Sequence, residues 1–178
     1  MDSVKVIENS RTIILNGEIT DEMAADTSLA LLLFEADNPK ERITLMINST
    51  GGSVSAGWQI IDTIQLVGNV EVIATGLVCS MAALILLAGE KGFRSALKHS
   101  RIMLHQPLGA ASFRQVSDME IAAREMIRSK SEIYQFIAEQ TGKPLEKIES
   151  DLDRDLWLSS DAALRYGVID RIITPENR

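Results

Sequence analysis

The sequence predicts an α/β protein in which helices cross between the strands of a mostly parallel sheet. Short β-branched runs alternate with longer helical patterns through the first half of the chain, as in repeated strand-helix units rather than a sandwich. The length of 178 residues fits one domain of ordinary size. Hydrophobic residues are 46% of the chain and charged residues 24%, which is the composition of a globular protein with its own core.

The first half of the chain supplies most of the predicted sheet. Six strands are predicted, most of them from runs of β-branched residues: Thr12–Leu15, Ile43–Ile47, Val70–Thr75, Arg94–Leu97, Arg101–Leu104 and Val168–Ile173. Helical patterns lie between and after the first three of them: Asp21–Phe34, Ala56–Leu66 and Ser80–Leu87. This order predicts crossover helices packed on the faces of parallel strands.

A long helix is predicted over Ser117–Gln140, because a capping box opens it and Gly142 and Pro144 end it. At 1.5 Å per residue it is about 35 Å long, more than the face of a small domain can cover. Its apolar residues wrap around more than one narrow stripe, so we expect its outer part to project and to be buried by another subunit. The alternative is a helix that lies across its own sheet. Two shorter helices, Pro144–Asp151 and Ser160–Tyr166, follow it.

Charge and cysteine content exclude several classes of protein. The chain has 25 acidic and 18 basic residues and a net charge of −7, so nucleic acid is not expected as a partner. One cysteine and two histidines exclude a disulfide framework and a catalytic metal cluster, and they fit a reducing compartment. The longest apolar stretch, Met81–Ala88, is too short to cross a membrane. The start of the chain shows no secretory signal, so we expect a cytoplasmic protein with no membrane partner.

Ser80 lies where a strand-like run gives way to an apolar helix. A helix that is apolar on every face is buried, so a serine in its first turn is either a cap or a nucleophile. As a nucleophile, it would have the unpaired N–H groups of that turn facing the charge that develops on an attacked carbonyl. The flanking residues do not form the Gly-x-Ser-x-Gly elbow of the α/β-hydrolases.

His105 ends a predicted strand, and the carboxyl ends of parallel strands open onto the crevice where such folds bind ligands. A neutral imidazole there can act as general base for a serine, although a structural histidine is the alternative. Asp151, Asp153 and Asp155 could each orient it. Asp155 directly precedes an apolar run, which predicts that its carboxylate is shielded, whereas Asp151 is expected to face solvent near a helix end.

The segment Asn48–Val54 follows a strand and opens a helix, so its backbone N–H groups could hold an oxyanion or a phosphate. It is neither a Walker A loop nor Gly-x-Gly-x-x-Gly, because it has only two adjacent glycines. A plain tight turn is the alternative.

Five segments together resemble the Clp protease (ClpP) family, in order and over Arg11 to Thr174. They are Ile47–Gly57, Ser80–Ala83, Met103–Gly109, Asp153–Asp155 and Tyr166–Asp170. Thr50 departs from the family, which usually has a proline there. The stretch before Ser10 is shorter than the axial loop and first helix of family members, so we divide the chain into an N-terminal segment, 1–10, and a peptidase domain, 11–178.

The resemblance implies a crotonase-like α/β fold and a Ser-His-Asp triad of Ser80, His105 and Asp155. It further implies that the backbone N–H groups of Gly51 and Met81 form the oxyanion hole. It places a substrate peptide, as an added strand, against three residues: Gly52, Ser53 and Leu108. It also assigns Asp153 and Arg154 to a charged pair that couples ring contact to the active site.

The function implied by this resemblance is that of the proteolytic subunit of an ATP-dependent protease, a serine endopeptidase that cleaves unfolded polypeptides. Its long helix is the handle by which two seven-membered rings stack. An AAA+ partner unfoldase uses the ATP, so no cofactor and no metal are expected in this subunit. Two alternatives stay open: a catalytically weak ring subunit with a scaffold role, and a crotonase-superfamily enzyme that acts on acyl-CoA.

Overall fold

An eight-stranded sheet with helices packed on it forms the protein, in a computed structural model that describes residues 3–108 and 115–176. The predicted α/β fold class is confirmed. Gly109, which closes the predicted motif around His105, lies outside the described residues.

The elements follow one another as the alternating pattern predicts. The strands are β1 (Val4–Ile7), β2 (Thr12–Asn16), β3 (Ile43–Ser49), β4 (Val70–Cys79), β5 (Arg94–Leu97), β6 (Arg101–Leu104), β7 (Leu156–Ser159) and β8 (Arg171–Ile173). The helices are α1 (Asp21–Asp37), α2 (Val54–Val67), α3 (Met81–Leu87), α4 (Val116–Thr141), α5 (Leu145–Asp151) and α6 (Ser160–Tyr166). Each helix predicted from the sequence is present, with both ends within three residues of the predicted ones.

The sheet is mostly parallel. Its order is β1-β2-β3-β4-β5-β8, and β6 pairs with the end of β4 and with β7. Strand β1 is antiparallel to β2 and β7 is antiparallel to β6, whereas the other pairs are parallel. The carboxyl ends of β3, β4 and β6 therefore meet at one edge, where a fold of this kind binds its ligands.

Strand β4 changes partner midway, and this change positions the site. Its first half pairs with β5, and its last three residues pair with β6. The change falls at Gly76, whose φ of +71° suits glycine. The Asn48 side-chain oxygen lies there, accepts a hydrogen bond of 2.9 Å from the N–H of Leu77 and leaves no room for a side chain at position 76. Ser80, which follows β4, therefore lies beside the end of β6, which His105 follows.

Helix α3 lies at the centre of the core. All seven of its residues are buried, and it packs against α2, α4 and the strands β3 to β6. A helix enclosed on every face cannot shift without disturbing close-packed neighbours. It therefore gives Ser80, the residue before it, a fixed position.

Helix α4 projects from the domain, as the sequence predicts. Every residue from Val116 to Arg128 is exposed, which corresponds to about 20 Å of helix. The residues that join the core all lie in its second half: Ile133, Tyr134, Phe136 and Ile137. The alternative, a helix lying across its own sheet along its full length, is wrong.

Four parts of the sheet differ from the prediction. Strand β4 runs to Cys79, four residues beyond its predicted end at Thr75. Strands β1 and β7 are additional; each has only four residues and a burial pattern without a clear apolar face. Strand β8 begins three residues later than predicted. The Asp170 carboxylate accepts hydrogen bonds from Arg94 and from the N–H of Gly92, and the ladder with β5 begins at Arg171. The division of the chain at residue 10 stays a prediction.

Candidate active site

A cavity of about 430 Å³ lies at the carboxyl edge of the sheet and brings together segments that are far apart in sequence. Ser80, Met81 and His105 line it, together with the glycine loop and Leu108. Its apolar wall comes from Val54, Leu84, Met103 and Ile133, on different elements. Val54 and Met103 lie in segments that the sequence analysis singled out, whereas no spacing in the sequence predicts Leu84 and Ile133 as part of the wall.

Ser80 occupies a strained turn between β4 and α3. Its φ of 55° and ψ of −128° are rare for a residue with a side chain and cost about 1–3 kcal/mol. Its backbone N–H donates to the carbonyl of Met103 at 2.9 Å, which ties the turn to β6. Its hydroxyl does not cap α3 and has no hydrogen-bond partner among the described residues. Strain combined with an unused hydroxyl favours a nucleophile over the capping alternative.

Cys79, the neighbour of Ser80, is not a competing nucleophile. Its side chain is buried. Burial, together with the nearby Asp155 carboxylate, raises the pKa of the thiol. The thiolate is the reactive form of cysteine, so this thiol is inert at neutral pH.

The glycine loop lies against Ser80. A Cβ at Gly51 would lie 2.6 Å from the Ser80 Cβ, and its φ of +97° also favours glycine. Of the two oxyanion donors that the resemblance implies, the N–H of Met81 has no acceptor among the described residues. The N–H of Gly51 donates instead to Ser49 Oγ at 3.1 Å. An oxyanion would therefore find one donor free and one that must leave Ser49.

Gly52 presents an open backbone edge to the cavity. Its neighbours use the opposite edge, because the carbonyl of Gly51 and the N–H of Ser53 both bond to Ile19 at 2.9 Å. Successive residues of an extended chain alternate between edges, so the N–H and carbonyl of Gly52 point the other way, without a partner among the described residues. Ser53 does not line the cavity in the described structure; its hydroxyl caps α2 by accepting from Ala56 N–H.

His105 connects this cavity to a second one. Its side chain is 12% exposed, and it lines both the cavity of Ser80 and a neighbouring cavity of about 460 Å³. The second cavity is also lined by Leu108 and by Asp153, Arg154 and Asp155. Within the described residues the imidazole makes no hydrogen bond to Ser80. Catalytic hydrogen bonds often form only when a substrate is bound.

Asp155 is the carboxylate that pairs with His105. Its Oδ1 lies 3.9 Å from His105 Nδ1, beyond hydrogen-bond distance. The predicted shielding of Asp155 is not observed, because its side chain is 59% exposed. The apolar run that follows it does enter the sheet as β7, but Asp155 stays at the rim. Asp153 and Arg154 pair with each other at 3.9 Å and are both exposed.

Asp151 does not face solvent, so this prediction is wrong. Its side chain is 15% exposed, forms an ion pair with Lys147 and accepts a hydrogen bond of 2.8 Å from the hydroxyl of Tyr166. Helix α5 turns Asp151 toward α6, where Tyr166 ends that helix. Asp151 is therefore a structural acid that joins two helices and is not available to orient His105.

Residues 3–108 and 115–176 contain neither a cluster of metal ligands nor a membrane-spanning helix. No three His, Cys, Asp or Glu side chains cluster there as metal ligands do. No helix in those ranges is both long and apolar enough to span a membrane.

Comparison with known proteins gives one consistent result. The family model described as Clp protease matches residues 1–176. The ATP-dependent Clp protease proteolytic subunit of Porphyromonas gingivalis (strain ATCC BAA-308 / W83) is 46% identical over 174 residues, which cover 97% of this chain and 78% of that protein. Proteolytic subunit 3 of Synechococcus sp. (strain CC9902) is 48% identical over 92% of this chain and 82% of its own length. Proteolytic subunit 2 of Prochlorococcus marinus (strain MIT 9312) is 48% identical over 92% of this chain and 81% of its own length.

These matches span nearly the whole chain, and the family model includes every segment on which the resemblance depends. The predicted enzyme class, a serine peptidase, is confirmed by the family. The chain belongs to the Clp protease family.

Proposed function

We propose that this chain is the proteolytic subunit of an ATP-dependent Clp protease and hydrolyses peptide bonds with Ser80 as its nucleophile. The observation that carries the proposal is the uncapped hydroxyl of Ser80, in a strained turn on the wall of a cavity that His105 also lines. Relatives with that printed name match nearly the whole chain.

The reaction follows from these positions. Neutral His105 accepts the Ser80 hydroxyl proton while Oγ attacks the substrate carbonyl carbon. The N–H of Met81 donates a hydrogen bond to the oxyanion. The N–H of Gly51 leaves Ser49 Oγ and donates to the oxyanion as well. His105 then gives the proton to the leaving amine, and water hydrolyses the acyl-enzyme by the reverse sequence. Asp155 orients the imidazole once the 3.9 Å separation closes to a hydrogen bond.

The substrate is a polypeptide in extended conformation. The open edge of Gly52 supplies main-chain hydrogen bonds along one side of the peptide, with Leu108 on the other. Main-chain pairing accepts any sequence, which suits an enzyme that degrades unfolded chains.

Assembly into two stacked seven-membered rings is supported by the projecting half of α4. Its exposed apolar residues need a partner to cover them: Val116, Met119, Ile121, Met126 and Ile127. The exposed pair Asp153 and Arg154 lines the second cavity together with His105, which supports a role in coupling ring contact to the active site. An AAA+ unfoldase supplies substrate and uses the ATP, so the subunit itself needs no cofactor. The single buried cysteine fits the reducing cytoplasm.

The experiment is hydrolysis of a quenched fluorescent peptide by the purified chain. Wild-type protein should cleave the peptide, and Ser80→Ala should stop cleavage without unfolding the protein, because Ser80 caps nothing. Asp155→Asn should lower turnover by several orders of magnitude, by analogy with about 10⁴ in another triad enzyme. Wild-type activity equal to that of Ser80→Ala would overturn the proposal.

The long separation of His105 from Asp155 favours one alternative, a catalytically weak ring subunit with a scaffold role. The same assay separates the two. A slow wild type whose rate Asp155→Asn does not change would establish the scaffold, whereas a fast wild type that depends on Asp155 excludes it. No contact in the described residues favours the acyl-CoA enzyme.

A further inference from the structure

Glu18 is the one acid among the described residues that line the cavity of Ser80. It lies in the short connection between β2 and α1, far in sequence from Ser80 and His105. None of the catalytic steps described above uses it. An ionised side chain in a substrate cavity has to be accounted for, because its charge acts on whatever binds there.

The fold holds Glu18 beside the substrate edge. The next residue, Ile19, pairs with the glycine loop on both sides of Gly52, through hydrogen bonds of 2.9 Å to Gly51 and from Ser53. Gly17 donates to the carbonyl of Asn48 at 3.0 Å and fixes the other side of Glu18. Backbone hydrogen bonds before and after it therefore set where Glu18 stands.

The missing side chain of Gly52 lets Glu18 reach the cavity. A Cβ at Gly52 would lie 3.0 Å from the Glu18 Cγ and closer still to the backbone of Ile19. The Glu18 side chain thus packs beside Gly52, next to the pairing with Ile19, and from there it lines the cavity. A side chain at position 52 would displace it.

The carboxylate of Glu18 is free to bind a substrate. It is exposed, and within the described residues no cation pairs with it and no donor bonds to it. Apart from His105, the other described lining residues carry no ionisable side chain. The negative charge of Glu18 therefore faces the groove unneutralised.

We propose that Glu18 is a specificity-determining residue that selects substrates with a lysine or arginine side chain within two residues of the scissile bond. The inference rests on the proposed function and names one preference of its substrate. Residues of a bound strand are about 3.3 Å apart and alternate in direction. Gly52 is adjacent to Gly51, which contacts Ser80. A peptide residue paired with Gly52 therefore lies within two residues of the attacked carbonyl.

The test uses pairs of quenched peptides that share one apolar cleavage residue and differ at a single neighbouring position, lysine against norleucine. These side chains have the same carbon skeleton and differ in charge. For wild-type protein, kcat/KM should favour lysine at one position by at least about threefold, the size of an exposed ion pair, and the ratio should fall as salt rises. Glu18→Gln should bring the ratio to one. Glu18→Lys should instead favour a peptide with glutamate at that position over the norleucine peptide.

Glu22→Gln is the matched control. Glu22 is also exposed, lies in the first turn of α1 and does not line the cavity in the described structure, so the same loss of charge should leave the ratio and the rate unchanged. A ratio that is the same in wild type and Glu18→Gln, with peptides still cleaved, overturns the inference and leaves the proposed function standing. A loss of preference in Glu22→Gln equal to that in Glu18→Gln overturns it as well. Absence of any Ser80-dependent cleavage overturns the proposed function and the inference together.

Discussion

Replacement of Gly51 by alanine tests how the glycine loop supports Ser80. An added Cβ would stand 2.6 Å from the Ser80 Cβ and 2.9 Å from the carbonyl oxygen of Cys79, whereas ordinary contact begins at 3.4 Å. The Cys79 oxygen is backbone, and buried α3 fixes the position of Ser80. The loop must therefore move away from Ser80 by about 0.8 Å.

Two effects add to the free-energy change. Left-handed backbone costs a residue with a side chain about 1–2 kcal/mol, and overpacking a buried contact costs about 1–3 kcal/mol. Gly51→Ala should therefore lower the free energy of unfolding by about 2–5 kcal/mol. Displacement of Gly51, the proposed oxyanion donor, by nearly 1 Å should lower the rate at which Ser80 is acylated by about 10²-fold.

Gly92→Ala separates the two effects. Gly92 has a φ of +91°, close to the +97° of Gly51, but no atom lies within 4 Å of its added Cβ. Denaturant unfolding should show only the backbone cost for Gly92→Ala, and its Ser80 should react with a fluorophosphonate at the wild-type rate. If Gly51→Ala is no less stable than Gly92→Ala and its Ser80 reacts as fast as in wild type, the reasoning is refuted.

Three further predictions concern stability and assembly. Asp151→Asn should lower the free energy of unfolding by about 1–2 kcal/mol, because Asp151 accepts charge-assisted hydrogen bonds; an unchanged urea midpoint would contradict this. Burial raises the pKa of Asp170, but hydrogen bonds from Arg94 and from backbone N–H groups outweigh it and hold the pKa below its usual range. Its stabilisation is then full above about pH 4 and is lost as pH falls below that value, so unfolding at pH 6 and pH 3 should differ less in Asp170→Asn than in wild type. Ile127→Asp, on the exposed half of α4, should shift the sedimenting species from stacked rings toward single rings while the chain stays folded by circular dichroism; unchanged assembly would count against α4 as the contact between rings.

The sequence predicted most of the fold because its crossover units carry strong local signals. Short apolar runs and the helical patterns between them predict β2 to β6 and all six helices, of which α1, α2 and α6 have a side-chain N-cap. The short strand of Leu156–Ser159 lacks such a signal, because an edge strand that pairs with one neighbour needs no buried face of its own. The strand of Val4–Ile7 is missed for the same reason.

The candidate site was predictable where a motif names a residue and not where only packing decides. Ser80, His105 and the glycines meet in one cavity because each follows a strand of the same sheet. Asp151, Asp153 and Asp155 occur at every second position, so spacing does not distinguish them. The turn of α5 toward Tyr166 is what sets Asp151 apart. Glu18 has no motif at all. It reaches the cavity through a pairing of Ile19 with the glycine loop that exists only in three dimensions.

The central claim is that Ser80 is the nucleophile, and covalent labelling tests it most directly. The purified chain is treated with a fluorophosphonate and analysed by intact mass, followed by peptide mapping that distinguishes Ser80 from its neighbour Cys79. The account predicts one adduct per chain, located on Ser80 and absent from Ser80→Ala. Equal labelling of wild type and Ser80→Ala, or an adduct mapped to Cys79, would contradict it.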